Sequence, residues 1–109
     1  MRMAGAPRIG FDRASVQAFL RDDRTPTVYR IYTSDGRLLA CGSTCWQRSR
    51  MLDHLRDPAM ADGAWVTLTT HRSIKAMLAG EREAAGEQPI VASGVIRRHH
   101  AWKKKPVTA

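Results

Sequence analysis

Two short, mostly apolar runs lie on either side of Ser34-Asp35-Gly36, the first of them rich in β-branched and aromatic residues, and a helical pattern follows them closely. Asp-Gly is the strongest short-range hairpin signal, because both residues tolerate the positive φ that a tight reversal needs. Residues 27–32 carry Val28, Tyr29, Ile31 and Tyr32 and read as the first strand. Residues 37–41 read as the returning strand, closed by Gly42. A helix is expected over 47–55, with Met51, Leu52 and Leu55 on one face and Asp57-Pro58 as its stop.

The remaining segments are read around that unit. Residues 1–10 show no periodicity and are expected to be disordered. Asp12 is a candidate cap for a helix over 13–21, with Val16, Phe19 and Leu20 at i, i+3 and i+4. The polar stretch 22–26 ends in Pro26 and reads as a linker. Residues 65–69 alternate Trp65, Thr67 and Thr69 against Val66 and Leu68, a third strand. Ser73 caps an expected helix reaching about residue 87, with Ile74, Met77, Leu78 and Ala85 as its apolar side. The order α-ββα-βα predicts an α/β fold of the α+β kind, a small three-stranded antiparallel β-sheet flanked by helices. At 109 residues one core is expected. It divides into an N-terminal extension with a short helix (1–26), a central domain (27–92) and a basic tail (93–109).

Lys and Arg number 18 against 10 acidic residues, a formal charge of +8. Such an excess favours a polyanionic partner, with nucleic acid ahead of a membrane surface. No apolar run approaches the roughly 20 residues that cross a bilayer, and the first ten residues have no apolar signal-peptide core. A cytoplasmic location is therefore expected. Two cysteines, Cys41 and Cys45, are too few for a disulfide framework and are expected to be reduced. Their C-x₃-C spacing, even with His99 and His100, suits buried thiols better than zinc. In the tail, Arg97, Arg98, Lys103, Lys104 and Lys105 are candidate phosphate contacts, and Trp102 can stack on a base.

The hairpin and its helix carry a tyrosine, two arginines and a histidine, a set suited to gripping and cleaving a phosphodiester. Arg50 presents a planar fork that pairs two phosphate oxygens. His54 lies one turn beyond it on the same helical face. Arg48 lies off that face and reads equally as a phosphate contact or a solvated charge. Tyr29 needs a nearby cation or metal to act as a base, since a phenol's ordinary pKa is about 10.

The spacing of these residues resembles the GIY-YIG nuclease domain. The two motifs read Thr27-Val28-Tyr29 and Ala40-Cys41-Gly42; Arg50 follows Gly42 by eight residues, and His54 follows Arg50 by four. Glu81, on the later helix, falls where that family holds a divalent metal. The resemblance spans about residues 27–92 and implies a DNA-cleaving, divalent-metal-dependent endonuclease. It casts Tyr29, Arg50, His54 and Glu81 as catalytic, with Mg²⁺ or Mn²⁺ on Glu81. Three positions depart from the family: Ala40 stands for the second tyrosine, Ala92 for the usual asparagine and Thr27 for the first glycine. The alternative is a catalytically impaired domain of the same fold that binds nucleic acid or protein. One site cuts one strand, so a duplex break implies a homodimer, a protein partner or two encounters.

Overall fold

A computed structural model of the chain describes residues 7–91. Seven elements follow one another: β1 (Ile9–Gly10), α1 (Arg13–Phe19), β2 (Thr27–Thr33), β3 (Leu38–Thr44), α2 (Gln47–Leu55), β4 (Gly63–Thr70) and α3 (Ile74–Ala85). A 3₁₀ turn at Pro58–Met60 links α2 to β4. The fold is α+β, with four antiparallel strands in the order β1-β4-β2-β3.

The expected sheet of three strands is therefore one strand short. Ile9 and Gly10, placed in a disordered segment on local pattern, pair with Val66 and Trp65 of β4. Two residues carry no periodicity, so only the distant partner defines this strand. The hairpin forms as expected. Gly36 takes φ +88 in the turn, and Thr33 and Arg37 close it with a 2.9 Å backbone hydrogen bond.

Alternation along β2 splits the core in two. Tyr29 and Ile31 join Val66, Ala40, Met51 and Leu52 in a cluster with Val16 and Leu20 of the N-terminal segment. Val28 faces the other way and packs with Cys41, Met77 and Ala84 under α3. Helices α1 and α2 thus cover one face of the sheet and α3 the other. Each fully buried Met or Leu side chain contributes about 1.5–3 kcal/mol to this assembly.

Local capping explains two of the helices. Asp12 accepts the Ser15 amide at 2.8 Å, and Ser73 accepts that of Ala76 at 3.1 Å. The apolar stripe assigned to α1 is only partly buried: Val16 and Leu20 are inside, but Phe19 is 68% exposed. The helix ends at Phe19, and Leu20 leaves it in an extended conformation, so the i, i+3, i+4 geometry fails at its end.

Helix α2 has no side-chain cap of its own; Trp46 stands at that position. Asp22, from the segment read as a linker, supplies one across space, accepting the Ser49 amide at 3.0 Å and the Ser49 hydroxyl. Gln47 also donates to Thr27 Oγ1 at 2.9 Å, fixing the start of α2 to β2.

Candidate functional site

Of the four residues expected to be catalytic, Tyr29 and His54 are in direct contact, and the charges of Arg50 and Glu81 both act on the Tyr29 phenol. Tyr29 sits opposite Gly42 in the β2–β3 register. A Cβ on Gly42 would lie 2.3 Å from Tyr29 Oη, so the ring lies directly across the glycine. This is the close approach that Gly42 permits, made by a side chain and not by backbone. The phenol reaches 2.8 Å from His54 Nε2, with the two rings 5.3 Å apart.

Arg50, one turn earlier on α2, stands close enough for its positive charge to pull the phenol's pKa down. Burial acts in the opposite direction and is the largest influence, and the Glu81 carboxylate adds to it. The net result holds Tyr29 well above the ordinary phenol value of 10.0. Tyr29, 6% exposed, is therefore a neutral hydroxyl at physiological pH and not a phenolate. The cation expected to activate it is present, but desolvation outweighs it.

Glu81 comes from α3, on the other side of the sheet, and is 6% exposed. Its carboxylate accepts a hydrogen bond from the Ser43 hydroxyl. Ser43 lies on β3, an edge strand, next to Gly42. Tyr29 from the α2 face and Glu81 from the α3 face thus converge on adjacent residues of one edge. Ser43 was missed by sequence reasoning; its place directly after Gly42 was the available signal. Glu83 is exposed and turned away, as its two-residue offset on a helix requires.

Two further features fix the helices that carry the site. Gly80, before Glu81, faces the His71 imidazole, 2.9 Å from where a Cβ would stand, with Val28 at 3.2 Å. A larger residue there would push α3, and Glu81 with it, off the sheet. Arg48 is exposed, yet its Nε donates to the Leu20 carbonyl at 3.0 Å, so one nitrogen ties α2 to the end of α1.

Cys41 and Cys45 are both free and buried. Burial, with the nearby Glu81 charge, pushes the Cys41 thiol up to about 11. Among the described residues no group of three or more His, Cys, Asp or Glu can hold a metal ion. A cation caged wholly by protein is thus not offered there. A single carboxylate beside a hydroxyl does suit a hard cation that keeps most of its waters.

Ala92, His99 and His100, and the tail residues Arg97, Arg98, Trp102, Lys103, Lys104 and Lys105, lie outside the described residues. No helix among the described residues is long and apolar enough to cross a membrane. Comparison with family models, curated proteins and solved structures returned no match.

Proposed function

We propose that the chain is a GIY-YIG-like, divalent-metal-dependent endonuclease that cleaves nucleic-acid phosphodiesters, DNA above all. The observation that carries this reading is the Tyr29–His54 hydrogen bond at 2.8 Å, with the Arg50 and Glu81 charges acting on the same phenol. A buried, neutral hydroxyl next to an imidazole is a proton relay. Tyr29 takes a proton from the attacking water as it passes its own to His54 Nε2. The phenol then never carries a full charge in its desolvated position. Arg50 holds the scissile phosphate and offsets the charge that builds on it. Glu81, oriented by Ser43, would hold Mg²⁺ or Mn²⁺, which when bound stabilises the leaving oxygen. The net charge of +8 adds affinity for the backbone without sequence preference.

One observation favours a second reading, a domain of the same fold kept only for binding. Ala40 is 4% exposed inside the core, so its position delivers no hydroxyl to the site. Losing one acid–base or oxyanion contact costs about 10²-fold or more.

Nicking of supercoiled plasmid decides between them. Metal-dependent nicking that EDTA, Arg50→Ala and Glu81→Gln each abolish is the expected result. No nicking above those variants, with salt-sensitive DNA binding intact, would leave the binding domain.

A further inference from the structure

Helix α3 covers only part of its face of the sheet. Beyond Val28 and Cys41 a groove of about 510 Å³ remains, lined by Arg30 and Tyr32 of β2, Trp65, Thr67 and Thr69 of β4, and Arg8. Tyr32 and Trp65 are register partners on neighbouring strands. Their ring centres are 6.0 Å apart and the planes tilted by only 23°, so they form a stacked aromatic pair, and both residues are only half-buried.

The cations around it are arranged unequally. Arg30 is held by Glu87 through two contacts of 3.2 and 3.0 Å. Arg8 is exposed and forms no ion pair among the described residues. Its guanidinium lies 4.2 Å from the Trp65 ring centre, a flat cation seated where a flat ligand would stack.

We propose that this open face binds single-stranded nucleic acid. An unpaired base stacks on the Tyr32–Trp65 surface, and Arg8 leaves the Trp65 face to meet the adjoining phosphate. The half-buried aromatic pair selects a base whose face is free, which a duplex keeps inside its stack. Arg8 and the chain's +8 charge supply the complementarity to phosphate. Thr67 and Thr69 line the same groove. The site needs neither Arg50 nor Glu81, so it stands or falls independently of cleavage.

The test is fluorescence anisotropy with the full chain in EDTA, comparing a labelled 12-nucleotide oligo-dT with a 12-base-pair duplex. Trp65→Leu is expected to weaken single-strand binding about tenfold while leaving the duplex within twofold. Arg8→Gln, an exposed change that leaves the core intact, is expected to weaken it severalfold and to lower the salt slope by about one phosphate. Single-strand affinity unchanged in both variants would overturn the proposal. So would an equal loss for strand and duplex in Trp65→Leu with an unshifted Tm, which would assign the face to general charge. A Trp65-dependent preference for the single strand in a protein that fails to nick plasmid would remove the nuclease and keep this surface.

Discussion

The two faces of the sheet are closed by different means. On one, α1 and α2 are tied down by groups far apart in sequence: Asp22 on Ser49, Gln47 on Thr27, Arg48 on Leu20. On the other, α3 is capped locally by Ser73 and covers only part of the surface. The first face buries Tyr29 against a half-exposed His54. The second leaves Arg30, Tyr32 and Trp65 in contact with water. Strand β2 serves both, since neighbouring residues point to opposite faces. A small fold thus separates a buried tyrosine, paired with a histidine, from a half-exposed aromatic surface.

The largest effect is expected from breaking the closed face. Gly42→Val places atoms where the Tyr29 ring lies, and no rotamer of the valine avoids it. We expect a loss of about 3 kcal/mol, at the upper end for overpacking, and a Tm lower by roughly 12 °C or more. Nicking should vanish with it. A melting curve equal to the parent's would mean that Tyr29 is not seated on Gly42.

Removing the long-range cap comes next. Asp22→Ala leaves the Ser49 amide without its carboxylate and should cost about 1–2 kcal/mol by urea denaturation. Ser73→Ala, on the locally capped helix, should cost about 1 kcal/mol and leave the Tyr29–His54 pairing untouched. A His54 ring signal in NMR spectra that shifts in Ser73→Ala as much as in Asp22→Ala would contradict the separation of the faces.

Alkali should act in the same range. The folded chain holds the Cys41 proton more tightly than the unfolded chain does, with a pKa of about 11 against an ordinary 9.0. That stability is fully present below pH 9 and is lost as the pH rises through 11. The loss is about 2 kcal/mol, and Tyr29, raised for the same reason, extends it above pH 10. Urea midpoints at pH 8, 9 and 10.5 under reducing conditions measure it. Cys41→Ala should flatten the decline between pH 9 and 10; an unchanged slope would place its cause elsewhere.

The smallest effect belongs to the open face. Arg30 and Glu87 are 20% and 47% exposed, so their pairing is screened. A double-mutant cycle with Arg30→Ala and Glu87→Ala should return a coupling of about 0.5 kcal/mol. A value of several kcal/mol would mean that the groove is drier than its openness to solvent implies.

How much of this was legible in sequence follows from the range of each interaction. The Asp35-Gly36 turn, the caps Asp12 and Ser73, and the alternation of β4 act within a few residues and are readable directly. Tyr29, Arg50 and His54 were placed by spacing along one hairpin and one helix. Strand β1 was hidden because its pairing partners lie more than fifty residues away. Asp22 looked like linker because a carboxylate that caps a distant helix leaves no local pattern. The Ser43–Glu81 contact likewise joins two elements by packing alone. Phe19 was misassigned because its helix stops at that residue.

After α3 the chain returns to the exposed side of β3, where the amides of Ile90 and Val91 donate to the carbonyls of Leu38 and Leu39 at 3.0 and 2.8 Å. That contact works as a mooring. Leu39 is four positions from Ser43, about 13 Å along the strand. Whatever follows Val91 in the sequence thus starts from a fixed point on the strand that carries Gly42 and Ser43.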